Sequence, residues 1–256
     1  MITIFLPKRK IYCAVFLFSA LLLISGILII TLGKQEKVAL ATVYQGSDKE
    51  KKISLTFNVV WGEEFIPPII ECLKEYNVTA TFFLGGQWAD DFPQLAGQIA
   101  AGNEVGNHGY AHLHQERLSK EDNITEIKKA ETSIFKATGI KTNLFAPPYG
   151  EQGEIIKKSA VEAGYTTIFW SIDTIDWQRP DPSVIVSRVL DKAQNGAIVL
   201  MHPTAPTVQA LPQIIKELKR QGYDLVKVSV LLQGLKEEGG SETGSQNSEY
   251  RIREKE

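Results

Sequence analysis

Three of the four histidines in this 256-residue chain stand close together in one short polar segment. His108 and His112 are four residues apart, so a helical turn between them would let both imidazoles bind one metal ion. His114 offers a third ring nitrogen nearby. Exposed loop histidines can have the same spacing by chance. The spacing therefore indicates a candidate metal site, with an ordinary polar loop as the alternative.

The fourth histidine, His202, directly follows the apolar run Ala197–Met201. Because histidine titrates near neutral pH, His202 could protonate a leaving group; it could also be a buried histidine with a structural role. Asp173 and Asp176 stand earlier in the chain and could either orient the His202 ring or cap a loop. These three residues are the candidate catalytic groups.

Two tryptophans stand near the same polar segments. Trp61 follows the first apolar run of the chain, and Trp177 directly follows Asp176. Either ring could fill the core or could form an apolar wall against a sugar ring. The residue types alone favour neither alternative.

The elements that would position these side chains are short strands that alternate with amphipathic helices. Seven predicted strands alternate with six predicted helices, which is typical of a parallel α/β domain whose chemistry gathers at the carboxyl ends of its strands. A closed or partly closed barrel fits this pattern best, and a doubly wound open sheet is the alternative. The predicted strands are Ser54–Val60, Thr79–Leu84, Glu104–Asn107, Asn143–Ala146, Thr166–Ser171, Ala197–Met201 and Asp224–Val228.

Composition excludes several classes of protein. The net charge of −2 lacks the basic excess that a nucleic-acid binder needs, so no nucleic-acid partner is expected. The chain has two cysteines, Cys13 and Cys72, and their settings predict neither a disulfide framework nor a cysteine-based zinc site.

The two ends of the chain differ from its middle. Residues 11–33 carry no charge and as a helix would measure roughly 35 Å, enough to cross a membrane. The basic residues at 8–10 predict that residues 1–10 are cytoplasmic and that the rest lies outside the cytoplasm. A cleaved signal peptide, cut near Ala39-Leu40-Ala41, is the alternative. We expect a linker at 34–52, one domain at 53–232 and a disordered polar tail at 233–256.

Five segments, taken in order, resemble the motifs of the polysaccharide deacetylase (NodB-homology) family. Thr56-Phe57-Asn58-Val59-Val60-Trp61-Gly62 is similar to the family's Thr-Phe-Asp-Asp-Gly motif, and more closely to the Phe-Asp-Ile-Ser-Trp-Gly form of its membrane-anchored sporulation-type members. Further matches lie at Tyr76–Phe83, at Gly102–His108, at Phe145–Gly150 and at the segments around Asp173 and His202. The resemblance covers about residues 53–230.

The resemblance implies a distorted (β/α) barrel, here with about seven parallel strands, that removes acetyl groups from peptidoglycan or chitin-like N-acetylglucosamine glycans. It implies that His108 and His112 bind a divalent metal such as zinc or cobalt. His202 would be the acid, supported by Asp173 or Asp176. By the same resemblance Pro147 and Tyr149 would line the substrate groove. The candidate substrate-binding residues are therefore these two together with Trp61 and Trp177.

The sequence departs from the family pattern at three positions. Asn58 stands where the family has its catalytic base, and a carboxamide cannot accept a proton at neutral pH. Val59 stands where the metal-binding Asp is expected, so the metal would be weakly bound or absent unless water, His114, Glu63 or Glu64 completes the site. Ala146 replaces the Arg that typically pairs with the base. The absence of an Asp at position 58 and the absence of an Arg at position 146 are consistent with each other. An Arg without its carboxylate partner would be an unpaired buried charge.

Three functions therefore compete. The first is a slow or altered deacetylase, in which Asp173, Asp176 or solvent serves as base. The second is a catalytically impaired or inactive protein of the cell envelope that binds cell-wall glycan. The third is a structural envelope component. In each case we expect a monomer held at the membrane by its N-terminal helix.

Overall fold

The computed structural model of the chain describes residues 42–240, with side chains described as far as residue 235. This part of the chain contains nine β-strands and eight α-helices. The strands are β1 (Thr42–Val43), β2 (Lys52–Val59), β3 (Thr81–Leu84), β4 (Glu104–Asn107), β5 (Leu144–Phe145), β6 (Thr166–Ile168), β7 (Ile172–Asp173), β8 (Ile198–Met201) and β9 (Asp224–Leu225). The helices are α1 (Ile66–Glu75), α2 (Gly86–Asp91), α3 (Pro93–Ala100), α4 (Lys120–Thr138), α5 (Glu154–Glu162), α6 (Pro182–Leu190), α7 (Ala205–Arg220) and α8 (Val228–Gly240).

The strands form one curled sheet in which neighbouring strands run parallel. Their order is β1-β6-β5-β4-β3-β2-β8-β7, with β9 paired to β2. The stretch 166–173 brings the two ends of this sheet together. The Phe169 amide donates to the Val43 carbonyl at 2.8 Å, and the Ser171 amide donates to the Ile198 carbonyl at 3.0 Å. The α/β class and the barrel-like sheet of parallel strands are thus confirmed, with nine strands instead of about seven.

Alternate residues of β2 belong to two different layers, as the period of a strand requires. Phe57 and Val59 are fully buried in the core between the sheet and its outer helices. Met201 on β8 is in the same core and pairs in register with Phe57. Asn58, between Phe57 and Val59, therefore points to the opposite face, which is the interior of the curled sheet.

Helix α8 fills this interior from the end opposite to the strands' carboxyl ends. Its apolar residues Val228, Leu231 and Leu232 pack with Phe83 and Ile198 in a second buried cluster. Polar groups at the amino ends of the strands also fix the start of this helix. The Val228 amide donates to Thr81 Oγ1 at 3.0 Å, and the Ser229 amide donates to Glu104 Oε2 at 3.2 Å.

The folded domain extends beyond its predicted bounds at both ends. Strand β1 and the first residue of β2 lie in the segment 34–52, which we predicted to be a linker. Helix α8 continues through residues 233–240, which we predicted to be part of a disordered tail. Both elements are held by tertiary contacts that local composition does not reveal. Within the sheet, the predicted strand Thr166–Ser171 is shorter and is followed by the separate strand β7.

Several predictions concern residues that are not described. The cytoplasmic segment 1–10, the membrane segment 11–33, the linker up to residue 41 and the tail from residue 241 all lie outside the described residues. Between residues 42 and 240, we find no helix with the length and apolarity needed to span a membrane.

The position of Val59 in the helix-facing core predicts the effect of placing a carboxylate there. Val59→Asp would bury an ionisable group among apolar side chains, so we expect it to lower the free energy of unfolding by about 3 kcal/mol or more. Urea denaturation measures this change. Val184→Asp is the matched control, because Val184 is exposed on α6 and the same substitution there should change stability by about 0.5 kcal/mol or less. A Val59→Asp variant as stable as the control would contradict the assigned position of Val59.

Candidate active site

A histidine–carboxylate pair, in which the carboxylate is buried, lies at the carboxyl end of β8. The His202 Nδ1 donates to Asp176 Oδ1 at 2.8 Å, and the His202 backbone amide donates to Asp176 Oδ2 at 2.7 Å. Thr207 Oγ1 donates to the same Oδ2 at 2.6 Å. Asp176 is completely buried, so these three hydrogen bonds compensate for the loss of hydration of its charge. With Nδ1 occupied, His202 has Nε2 left for an external partner.

The backbone is strained on both sides of Asp176. Ile175 and Arg179 flank the 3₁₀ turn Asp176–Gln178 with φ of 50° and 53°. A β-branched residue rarely adopts a positive φ, and such strain is typical of functional sites. The neighbouring turn is held by Asp173, whose Oδ1 accepts from the Ile175 amide at 2.8 Å. Of the two aspartates considered from the sequence, Asp176 contacts His202, whereas Asp173 stabilises the turn.

The chain leaving β2 packs against the chain leaving β8. Gly62 has a φ of 80°, and a Cβ at this position would lie 2.3 Å from the Pro203 carbonyl oxygen. A glycine is therefore required for this close approach. In this arrangement the Trp61 ring lies nearly parallel to the His202 ring, with 5.9 Å between the ring centroids. Trp61 and Trp177 are both partly exposed, at 36% and 53% of their surface, which argues against a role as core residues.

His108 lies at the end of β4, buried beside β5. Its Nδ1 donates to the Ala146 carbonyl at 2.7 Å. Burial, helped by the nearby charges of His112 and His202, lowers the pKa of His108 to about 3, although the hydrogen bond to the Ala146 carbonyl acts in the opposite direction. The ring is therefore neutral at pH 7, which is the form that binds metal.

His112 completes the predicted histidine pair. Its ring centroid is 5.1 Å from that of His108. Two imidazoles on one tetrahedral zinc have centroids about 5 Å apart, so this separation suits a shared ion. His112 itself has a φ of 52°. Burial lowers the pKa of its side chain, as does the charge of His202, which lies on the same side of the sheet.

The remaining loop residues form a cluster beside His112. The Tyr149 ring lies 4.4 Å from the His112 ring and stacks on the His114 ring at 4.0 Å between centroids. His114 Nδ1 also pairs with Glu151 Oε1 at 2.7 Å. His114 is thus occupied by these contacts instead of joining the histidine pair. Pro147 is buried, so Tyr149 is the residue of this turn that offers an exposed surface.

The part of the site that contains Asn58 and Ala146 carries no charge. Asn58 is 6% exposed, and its Oδ1 has no hydrogen-bond partner among the described residues. Continuing the Phe57–Met201 register by one residue places Asn58 level with His202. Ala146 belongs to the apolar cluster of the interior, whereas Val59 belongs to the helix-facing core.

Comparison with known proteins identifies the family. The family model "Polysaccharide deacetylase" matches residues 45–168. The uncharacterized protein YlxY of Bacillus subtilis is 39% identical over 191 residues, which are 74% of this chain and 60% of that protein. The peptidoglycan-N-acetylglucosamine deacetylase of Bacillus cereus is 34% identical over 208 residues, covering 79% of this chain and 75% of that protein.

This chain belongs to the polysaccharide deacetylase family.

A solved structure of the family is also similar. A CE4 family pseudoenzyme from Bacillus anthracis matches with a TM-score of 0.75 and 42% identity, covering 78% of this chain and 71% of that one. A mutant of the same pseudoenzyme with restored enzymatic activity matches with the same TM-score and 40% identity, covering 78% of this chain and 74% of that one. The resemblance inferred from the five motifs is thus confirmed at the level of the family.

The residues present fit only part of the metal site that the deacetylase family implies. His108 and His112 have a suitable separation, but Val59 points to the helix-facing core and Asn58 offers only a carboxamide. Glu63 and Glu64 lie in the short 3₁₀ helix after Gly62. In the range 42–240 no three His, Cys, Asp or Glu side chains are grouped so as to hold a metal. The described residues therefore offer two imidazole ligands and no carboxylate that would complete the metal site.

Two residues that hold the site in place, Glu126 and Thr207, were not predicted from the sequence. Glu126 on α4 accepts from the amides of Tyr110 and Ala111, at 3.2 Å and 2.9 Å, and so holds the turn between the paired histidines. Thr207 stands in the first turn of α7, where the Thr204 side chain caps the helix. The Thr-x-x-Thr spacing indicates a helix cap but not a contact with Asp176. Nothing local to Glu126 indicates its role.

The lowered pKa of His108 predicts a pH dependence of stability. Between pH 6.5 and about 3 the unfolded chain protonates this imidazole and the folded chain does not, so stability falls as the pH is lowered. One such proton contributes at most about 1.4 kcal/mol per pH unit. We expect the free energy of unfolding to fall less steeply with decreasing pH in His108→Gln than in the wild type. Urea denaturation at several pH values, with a chelator present, measures this. His114→Gln, which removes an exposed imidazole, is the control; an unchanged slope in His108→Gln would contradict the prediction.

Proposed function

We propose that this protein binds an N-acetylglucosamine glycan of the cell wall, such as peptidoglycan, in a deacetylase site whose own hydrolytic chemistry is impaired. One observation carries the proposal. Asn58, at the position of the family's base, is a buried carboxamide with an unpartnered oxygen, while the His202–Asp176 pair is complete. The site thus keeps its acid half and lacks its base half.

The chemistry of the missing group supports this proposal. A carboxamide cannot take a proton from an attacking water at neutral pH, and loss of a general base costs about 10²–10⁴ in rate. Ala146 is apolar and buried, so it brings no compensating charge. The acid half alone can orient a proton at His202 Nε2, but it cannot activate the nucleophile.

The relatives support the same proposal. The Bacillus cereus relative is named for its action on peptidoglycan N-acetylglucosamine, which suggests the glycan class. The Bacillus anthracis relative is a pseudoenzyme of the same family, and a mutant of it regains activity. A pseudoenzyme of this family is therefore known at 42% identity to this chain.

A slow deacetylase is the second candidate, and the complete His202–Asp176 pair favours it. In that case His202 would protonate the leaving amine. We propose that a divalent metal, zinc or cobalt, would bind weakly to His108 and His112, because no carboxylate completes the pair. Asp176 is fully engaged by its three donors, so solvent is the better candidate for the base.

The place of action remains a proposal from the sequence. We propose a monomer anchored in the cell membrane by residues 11–33, with its N-terminus inside and its domain facing the wall. Secretion after cleavage is the lesser alternative. A link to sporulation rests on the resemblance of Phe57–Gly62 to sporulation-type members.

Exposed aromatic rings should carry much of the glycan affinity. Trp177→Ala removes an exposed ring next to Asp176, and we expect binding of an N-acetylglucosamine tetramer to weaken about 2- to 10-fold, measured by calorimetry. Phe135→Ala is the matched control, because Phe135 is equally exposed on α4. Equal affinity of the Trp177 variant and the wild type would remove Trp177 from the binding surface.

Restoring the base should restore turnover. We expect Asn58→Asp, alone or together with Ala146→Arg, to increase acetate release from N-acetylglucosamine oligomers by about 10²-fold when zinc or cobalt is added. The increase should disappear when His202→Ala is introduced as well, because the acid is then missing. If the double variant releases no more acetate than the wild type, the missing base is not what limits the reaction.

A further inference from the structure

The peptide group between Thr174 and Ile175 is held at both ends by charged side chains. Its N–H belongs to Ile175 and donates to Asp173 Oδ1 at 2.8 Å. Its carbonyl belongs to Thr174 and accepts from Arg188 Nη1 at 2.6 Å. Hydrogen bonds that involve a charged group are stronger than those between neutral groups. An acidic side chain at one end and a basic side chain at the other therefore fix the orientation of this peptide plane.

The orientation of this plane determines the strained backbone angle that precedes Asp176. Because a peptide bond is planar, turning it changes ψ of the residue before it and φ of the residue after it. Ile175 has a φ of 50°, which a β-branched residue rarely adopts. Relaxation of Ile175 would turn the plane and break the hydrogen bonds at both of its ends. These two hydrogen bonds therefore oppose relaxation of the turn that leads to Asp176.

The setting of Arg188 makes this contact the main use of its charge. Arg188 lies on α6 and is half-buried. In the part of the chain with described side chains, residues 42–235, none of the ion pairs includes Arg188. A guanidinium that loses part of its hydration needs a hydrogen-bond acceptor. The carbonyl of Thr174, a completely buried residue, is that acceptor.

We propose that Arg188 is a positioning residue for the His202–Asp176 pair. Together with Asp173, it holds the peptide plane before Ile175 so that the Asp176 carboxylate meets the His202 ring. Arg188 acts through the backbone of the turn and leaves His202 Nε2 available to a ligand. This inference rests on the proposed function, to which it adds a residue on an outer helix that sets the geometry of the acid half of the site.

Proton NMR of the full-length protein at pH 7 and low temperature tests the inference. The Nδ1 proton of a histidine hydrogen-bonded to a carboxylate resonates far downfield of the amide protons, so its signal reports the His202–Asp176 hydrogen bond directly. We expect Arg188→Gln, which removes the charge, to lose this signal through exchange with solvent. Arg188→Lys should keep it, because a single hydrogen bond needs only one cationic donor. Arg220→Gln is the matched control, since Arg220 is exposed on α7 and pairs with Glu217.

A second variant tests the other end of the peptide plane. Asp173→Ala removes the acceptor of the Ile175 amide, so we expect it to lose the same signal. An unchanged signal in Arg188→Gln, or its loss in Arg188→Lys, would overturn the inference. A wild type without the signal would overturn it as well. Loss of the signal together with the dispersion of the methyl resonances would indicate a role in folding alone, and this too would overturn it.

Calorimetry separates this inference from the proposed function. We expect Arg188→Gln to bind an N-acetylglucosamine tetramer about 2- to 10-fold more weakly than the wild type, because His202 is then no longer held in place. If the NMR signal depends on Arg188 but the wild type binds no tetramer, the proposed function is overturned and the positioning role of Arg188 stands.

Discussion

The buried carboxylate of Asp176 is the constraint on which the rest of the site depends. A fully buried charge is tolerated only when donors surround it, and here the donors come from His202 and from Thr207 in the first turn of α7. These hydrogen bonds therefore fix three segments relative to one another: the residues after β8, the strained turn around Asp176 and the start of α7. The local strain at Ile175 and Arg179 persists because these contacts hold the turn.

The other half of the site, around Asn58, Ala146 and His108, carries no charge. With a carboxamide at 58, an arginine at 146 would be buried without a partner, and alanine instead extends the apolar interior. His108 stays neutral in this setting because burial disfavours its charged form. A polar, charged half and a neutral half thus lie side by side at the carboxyl ends of the strands. This asymmetry is the structural basis of the proposed glycan-binding function.

Much of this arrangement is visible in the sequence. Short runs of strand-forming residues that lead to Asn58, Asn107 and His202 predicted β2, β4 and β8, since parallel strands of an α/β domain present their chemistry at their carboxyl ends. The choice between Asp173 and Asp176 was open, because it depends on a backbone turn with two positive φ angles that residue types do not reveal. Glu126 and α8 were missed for a similar reason: their contacts join segments far apart in the chain. Only the fold shows that Val59 faces the helices whereas Asn58 faces the interior.

A crystal structure of the protein soaked with an N-acetylglucosamine tetramer tests the central claim most directly. We predict a tetramer bound at the carboxyl ends of the strands, with an intact acetamide beside His202 and a sugar ring against Trp61 or Trp177. A tetramer whose acetyl group has been removed at this position, or one bound elsewhere on the surface, would contradict the claim.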